Sequence, residues 1–331
     1  MNPYPSVSVI MPVVNEERHL AHAVERILNQ DYRGPLDVII AVGPSRDRTE
    51  AVAQDLAERN ACVQVVANPT GKTPAGLNAA IAHSRGDIVV RVDGHAMIPP
   101  TYVSTAVETI LRTGADNVGG IMAAEGTTAF ECAVAAAMRS WFGVGGAAFH
   151  IGGEEAEALT VYLGSFRRSA LDRVGGFDES MERAQDWELN LRIRNSGGSV
   201  WFTPAMEVVY RPRHSVRALA KQYHDYGRWR REIARRHPST LSLRYLAAPI
   251  AVLLIITGLL AAAVGAVVGQ PWLIIAGLLV PVGYLAATIA VSMLLPGLTW
   301  SIRWRLPLVF ATMHMAWGTG FWRGPGRVEA A

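Results

Sequence analysis

The chain has 331 residues, half of them hydrophobic, a share high for a soluble protein and a length suited to one large domain plus an appendage. Its 31 Lys and Arg nearly balance 28 Asp and Glu, but unevenly: residues 1–210 hold 17 basic against 25 acidic groups, while residues 211–244 hold ten against Asp225 and Glu232. A basic block beside a net-negative region argues against nucleic acid as a partner. Cys62 and Cys132 lie in apolar segments without metal-ligand spacing and read as buried reduced thiols.

Residues 1–5 lack the basic and apolar layout of a signal peptide. Residues 7–11 predict a strand ended by Pro12, after which Leu20, Ala23, Val24, Ile27 and Leu28 recur at helical spacing. Strands are then expected at 36–42, 62–67 and 87–92, with helices at 49–59, from Pro74, and from Pro99-Pro100. This alternation with short joints predicts an α/β fold, a mostly parallel sheet with helices on both faces. Ligands of such sheets bind beyond the carboxyl ends of the strands, which selects residues 12–16, 43–49 and 93–95. Beyond about residue 125 the pattern loosens. The Gly-rich residues 142–153 read as a mobile loop, 162–166 as a strand, and 185–195 as a helix stopped by Gly197-Gly198.

In the basic block, Arg217, Lys221, His224, Arg228, Arg231 and Arg235 fall on one helical stripe, and Val216, Leu219, Ala220, Tyr223 and Tyr226 on another. Such a helix is expected to lie on anionic membrane lipids, at about 1 kcal/mol per basic residue near the surface. From Tyr245 to Ile302 there is no charged residue. Punctuation at Gln270-Pro271 predicts two transmembrane helices near 246–268 and 272–295. Arg235, Arg236 and Arg244 precede the spans, Arg303 and Arg305 follow them, and the turn between is uncharged. Positive-inside logic puts both ends in the cytoplasm, as a multi-pass protein of the inner membrane. Residues 306–322 are short for a third span and suit a helix in the interface, where Trp304, Trp317 and Trp322 fit. The expected organisation is a cytoplasmic domain over 1–210, a juxtamembrane helix over 211–244, two spans over 245–302, and an interfacial or third membrane helix with tail over 303–331.

Gly71-Lys72-Thr73 is not a phosphate loop, because Val66 stands where that motif needs its first glycine. Six other motifs, in order and at workable spacing, resemble the family 2 glycosyltransferases, which have the GT-A fold. They are Pro12-Val13-Val14-Asn15-Glu16, Ser45-Arg46-Asp47-Arg48-Thr49, Gly76-Leu77-Asn78, Asp93-Gly94-His95, Gly175-Gly176-Phe177-Asp178-Glu179 and Gln185-Asp186-Trp187-Glu188. The resemblance covers roughly residues 5–235 and is nearest to the bacterial succinoglycan-type exopolysaccharide glucosyltransferases.

The resemblance implies an inverting hexosyltransferase that moves a sugar from a nucleotide-sugar donor, expected to be a UDP-sugar, to a lipid-linked saccharide acceptor. A divalent cation, Mn²⁺ or Mg²⁺, would neutralise the leaving diphosphate, and a carboxylate would take the proton of the acceptor hydroxyl. Carried over by position, Asp186 is the base. Pro12, Asn15, Glu16, Ser45, Asp47, Lys72, Asn78 and Asp93 surround the donor. Asp93 and His95 are the metal candidates, and Gln185, Glu188, Arg228 and Trp229 lie toward the acceptor or membrane. Other envelope-glycan enzymes are possible partners. Two departures stand out: Val42-Gly43 occupy the place of the family's paired aspartates, and His95 replaces the second carboxylate of Asp-x-Asp. Imidazole suits Mn²⁺ better than Mg²⁺, so His95 either ligates a softer ion or hydrogen-bonds the diphosphate. Arg228-Trp229 resembles part of a Gln-x-x-Arg-Trp motif, but Gln222 is too distant, which disfavours a processive synthase. A non-catalytic sugar-nucleotide sensor on the same fold is the rival from another class.

Overall fold

The computed structural model describes residues 4–325, and the chain forms two units. The first comprises residues up to Ala123 together with Ala147–Tyr210; the second comprises Ala124–Gly146 and the chain from Arg211 onward. The helical segment after residue 124, expected within the first domain, thus groups with the C-terminal part.

In the first unit the chain runs through β1 (Val7–Val13), α1 (Leu20–Leu28), β2 (Leu36–Val42), α2 (Thr49–Arg59), β3 (Val63–Ala67), α3 (Thr73–His83), β4 (Ile88–Arg91), α4 (Tyr102–Thr113) and β5 (Asn117–Ala124). After α5 (Ala129–Met138) and α6 (Trp141–Val144) of the second unit come α7 (Ala148–Ile151), β6 (Ala156–Glu157), β7 (Tyr162–Arg167), α8 (Arg168–Val174), α9 (Gln185–Asn195) and β8 (Val200–Tyr210). One sheet has the order β3-β2-β1-β4-β7-β5-β8-β6. Strands β1 to β4 pair in parallel, while β7 runs antiparallel to both β4 and β5. The sheet is therefore parallel from β3 to β4, while beyond β4 the pairs β4–β7, β7–β5 and β8–β6 are antiparallel.

The apolar runs of β1, β2 and β4 are continuous because both sheet faces are covered. Val7, Val9, Met11 and Val13 point to one face, against Leu20, Val24 and Ile27 of α1 and Val103, Val107 and Ile110 of α4. Ile10, Ile39 and Val89 point to the other, with Leu77 and Ala80 of α3, Leu171 of α8, and Leu189 and Ile193 of α9. The two-residue repeat of the strand divides one sequence run between two cores. Cys62 corrects an expectation: it is exposed, just outside β3, and Cys132 is only partly buried.

The second unit continues through α10 (Val216–Arg236), α11 (Leu243–Val267), α12 (Pro271–Leu294), α13 (Trp300–Arg303) and α14 (Leu306–Arg323). Helices α11 and α12, of 25 and 24 residues, have the length and apolarity to cross a membrane, with most of their surface uncovered by protein. They meet at glycines: a Cβ on Gly258 would lie 2.4 Å from the Gly277 carbonyl oxygen, and one on Gly277 would lie 2.4 Å from that of Gly258. Helix α14 does not share their character. It buries Leu306, Val309, Phe310 and Met313 and packs on α10. Gly227 and Gly320 make that contact possible, since a Cβ on either would sit 2.1 Å from a carbonyl oxygen of the facing helix.

This packing changes the meaning of the basic stripe. Arg228 donates to the Gly324 carbonyl at 3.0 Å, and Arg231 donates to the carbonyls of Phe321 and Trp322. Both thus cap the C-terminal end of α14, where unpaired carbonyls and the helix dipole favour cations. Arg217 and Lys221 at the head of the stripe stay exposed. The expected mobile loop over 142–153 contains α6 and α7. Ser140 caps α6, and Phe142 packs edge-on against Phe310 of α14 with ring centres 5.0 Å apart.

Candidate active site

Three loops at the carboxyl ends of β1, β2 and β4 carry Asn15, Glu16, Ser45, Asp47 and Asp93 of the expected donor-side residues, as strand direction requires. The β1–α1 and β2–α2 loops are laced together. The Asn15 amide N–H donates to Ser45 Oγ at 3.1 Å, and Asn15 Oδ1 accepts from the Arg46 N–H at 2.8 Å. Asn15 has φ 56°, a left-handed conformation that asparagine tolerates better than most residues. The Glu16 N–H donates to Thr49 Oγ1, while Asp47 accepts from Thr49 N–H and Oγ1 and from the Glu17 N–H. These bonds, led by that from the Thr49 hydroxyl, hold the Asp47 carboxyl below its usual range. Asp47 therefore shapes the rim on which Glu16 sits.

Gly43 explains the missing aspartate at its position. A Cβ there would stand 2.7 Å from the Val14 side chain and 2.9 Å from Gly71 Cα. The close approach of the residue-71 turn leaves no room for a side chain. Lys72, at the start of α3, pairs with Glu182 at 3.8 Å, both largely exposed. Pro12 stays half-buried in β1, beside the Gly76 backbone. The Asn78 side chain is committed to the chain itself: Nδ2 donates to the Phe177 carbonyl and to Glu179, and Oδ1 accepts from the Phe177 N–H. It thereby holds the Gly175–Gly176 turn that leads toward α9.

At the end of β4, Gly94 lets the turn press on the first loop, since a Cβ would meet Val13 at 2.7 Å and Glu16 at 3.2 Å. His95 Nδ1 lies 2.7 Å from Glu16 Oε1, with the imidazole exposed and the carboxylate mostly covered. Asp93 beside it is bonded through Oδ1 by Arg91, from Nε at 3.0 Å and Nη2 at 2.9 Å. Arg91 Nη1 reaches Oδ1 of Asp186. One guanidinium, with its side chain 6% exposed, thus joins its near neighbour Asp93 to Asp186, which lies 95 positions from Arg91 in sequence.

Asp186 stands in the first turn of α9, after Ala184, whose φ of 59° is a left-handed conformation unusual for alanine and costs about 1 kcal/mol or more. Burial pushes the Asp186 carboxyl up, Arg91 pulls it back, and the charge of Asp93 adds to the rise. A third of that side chain remains open to solvent, which tempers the shift. Burial opposes the charge on Arg91, but the two carboxylates more than restore it, and the group stays protonated. Gln185 is buried beside Asp186. Glu188 forms a two-pronged pair with Arg192, which also donates to the carbonyls of Val174 and Gly176. Glu188 and Asn78 thus brace the same turn from opposite sides of the sequence. Arg228 and Trp229 belong to the second unit, where Trp229 is buried in α10.

Arg91 escaped the sequence reading. Its signal was present: a charged residue ending the otherwise apolar β4, two positions before Asp93. Among the described residues no three His, Cys, Asp or Glu side chains gather as a complete metal site. The donor set nonetheless suits a divalent ion that keeps few protein ligands and takes the rest from substrate phosphate and water. Asp93, with Oδ2 outside the Arg91 contact, and His95 would hold it.

Residues 8–175 match the family Glycosyl transferase family 2, and the chain belongs to that family. Together with the sheet order and the site at its parallel edge, this defines a glycosyltransferase of the GT-A fold. The chain is 33% identical to the succinoglycan biosynthesis protein ExoA of Rhizobium meliloti (strain 1021), covering 95% of this chain and 93% of that protein. It is 26% identical to the dolichyl N-acetyl-alpha-D-glucosaminyl phosphate 3-beta-D-2,3-diacetamido-2,3-dideoxy-beta-D-glucuronosyltransferase of Methanococcus voltae, over 67% of this chain and 71% of that protein. The solved mannosyltransferase PcManGT of Pyrobaculum calidifontis, in complex with GDP-Man and Mn²⁺, shares the fold at a TM-score of 0.62 and 19% identity. That match covers 98% of this chain and 89% of the mannosyltransferase.

Proposed function

We propose that the chain moves a hexose, with inversion, from a UDP-sugar to a lipid-linked saccharide during exopolysaccharide or cell-envelope glycan assembly. The observation that carries this reading is the pair of carboxylates held on one guanidinium, Asp93 at the edge of β4 and Asp186 at the start of α9. Asp93 lies on the donor side, where it and His95 would hold a divalent cation. Bound there, the cation supplies charge neutralisation for the leaving diphosphate. Asn15, Glu16, Ser45 and Asp47 border the nucleoside, with Pro12, Lys72 and Asn78 behind them.

Asp186 accepts the proton of the acceptor hydroxyl. The hydroxyl oxygen bonds to the anomeric carbon on the face opposite the diphosphate, which departs with the electron pair of the broken bond. A carboxyl raised by burial is the better proton acceptor, because its basicity lies nearer working pH. Gln185 and Glu188 support the acceptor side through α9.

A lipid-linked acceptor accounts for a catalytic domain tethered by two apolar helices. The domain works on the cytoplasmic face of the inner membrane, with α11 and α12 as a hairpin across it and α14 near its surface. Arg217 and Lys221 are the residues of α10 best placed to meet anionic headgroups. The near full-length similarity to ExoA and the dolichyl N-acetylglucosaminyl phosphate in the name of the archaeal relative support this assignment.

The test is a donor screen with membranes containing the full chain, offering UDP-, GDP- and dTDP-hexoses and following lipid-linked product by mass spectrometry. Transfer from a UDP-hexose is expected. Nucleotide binding without turnover of any donor would replace the enzyme by a sensor.

A further inference from the structure

We propose that Arg91 is a positioning residue that couples donor binding at Asp93 to the placement of Asp186, acting as a counter-ion shared between them. The inference rests on the roles given above to those two carboxylates. Three features carry it.

The first is geometry. Arg91 uses Nε and Nη2 on Asp93 and Nη1 on Asp186, so the planar fork sets the separation and orientation of both carboxylates at once. The second is burial. The guanidinium is almost wholly enclosed, and a buried charge depends on its partners far more than an exposed one. The third is location: Arg91 is the last residue of β4, a strand held by β1 on one side and β7 on the other, so its backbone is fixed while its two partners stand on loop and helix terminus.

A shared counter-ion makes the two carboxylates sense each other. With cation and diphosphate bound, Asp93 would share its charge with them and Arg91 would be left more fully to Asp186. Removing the charge of Asp186 has the reverse effect: Arg91 then has one anion only, grips Asp93 harder, and competes with the cation. Linkage requires the two effects to be equal in size. An acceptor-side substitution is thus expected to weaken donor binding, although Asp186 is not among the donor-side residues.

The experiment uses the full chain in lipid nanodiscs. Binding of UDP, GDP and dTDP, each with Mn²⁺, is measured by calorimetry for wild type, Asp186→Asn, Arg91→Lys and the double variant. For the tightest nucleotide, Asp186→Asn is expected to raise Kd about fivefold or more. In the Arg91→Lys background, where an ammonium cannot span both partners, the same change is expected to alter Kd by less than about twofold. Equal Kd values for wild type and Asp186→Asn would overturn the coupling, as would a loss of the same size in both backgrounds. If Arg91→Lys fails to fold, the comparison of wild type with Asp186→Asn still decides. Transfer assays separate the two claims: an Asp186→Asn variant that transfers sugar at the wild-type rate overturns the base assignment and this inference with it. One that loses transfer but binds donor as wild type overturns the coupling alone. Failure of all three nucleotides to bind would overturn the donor site itself.

Discussion

The end of β4 and the helix α10 both concentrate charge, and they use it in opposite ways. At β4 one buried arginine serves two carboxylates, and each carboxylate keeps an oxygen outside that contact. In α10 the arginines outnumber the acids, and most are taken up within the second unit: Arg228 and Arg231 by carbonyls at the end of α14, Arg230 by the Thr240 carbonyl, and Arg235 and Arg236 by Glu232. The first arrangement leaves each carboxylate an oxygen that the guanidinium does not take. The second completes helix ends. A motif of charged residues in sequence is compatible with either, and the difference lies in whether the partners come from a helix terminus or from a sheet edge.

Substitutions in both regions put that contrast to the test. Asp186→Asn should lower kcat by about 10²–10⁴-fold, the range for loss of a general base, and should also lower the melting temperature, because Arg91 keeps one buried anion instead of two. Wild-type turnover would move the base elsewhere. Glu188→Gln breaks a buried pair whose arginine also holds two carbonyls, and a loss of about 3 kcal/mol in stability is expected from chemical denaturation. A change in kcat without loss of stability would instead give Glu188 a direct role.

The Glu232 pair offers a test through pH. Its carboxyl is held at about 2, against a usual value of 4.5, first by the hydrogen bond from Arg235 and then by that from Arg236. A depressed carboxyl contributes stability that is full above about pH 4.5 and is lost as pH falls toward 2, on the order of 3 kcal/mol for this shift. Glu232→Gln should therefore flatten the acid limb of the unfolding curve, and an unchanged limb would remove Glu232 from the cause. Arg228→Glu should cost about 1–2 kcal/mol by uncapping α14 and repelling Asp225, with sugar transfer per folded molecule retained. Smallest is His95→Ala, expected to raise the Mn²⁺ needed for half-maximal transfer several-fold, on the order of 1 kcal/mol of binding. An unchanged Mn²⁺ requirement would assign His95 to the diphosphate or to Glu16 alone.

The local patterns were legible wherever a short stretch of sequence decides its own structure. Strand β2 and helices α2 and α9 stand at their expected limits, because hydrophobic period and flanking turn residues act over one element. The loops that carry Asn15, Asp47 and Asp93 followed from strand direction. Helix α5 carries a start signal in its sequence: Thr128 and Glu131 form a reciprocal capping box ahead of an apolar run. The strands β5 and β8 were missed for a different reason. Their neighbours in the sheet come from distant parts of the chain, so no local period marks their place.

What the sequence alone determined was the sheet edge, the order of the loops along it, and two helices apolar enough for a membrane. These depend on periodicity and composition, which any segment carries within itself. Only the tertiary structure decided which charges meet: that Arg91 joins Asp93 to Asp186, that Asn78 and Glu188 brace a turn, and that Arg228 and Arg231 close the end of α14. The physical reason is range. Hydrophobic pattern acts between residues a few positions apart, whereas a buried ion pair is made by whichever groups folding brings within hydrogen-bond distance, however far apart they stand in the chain.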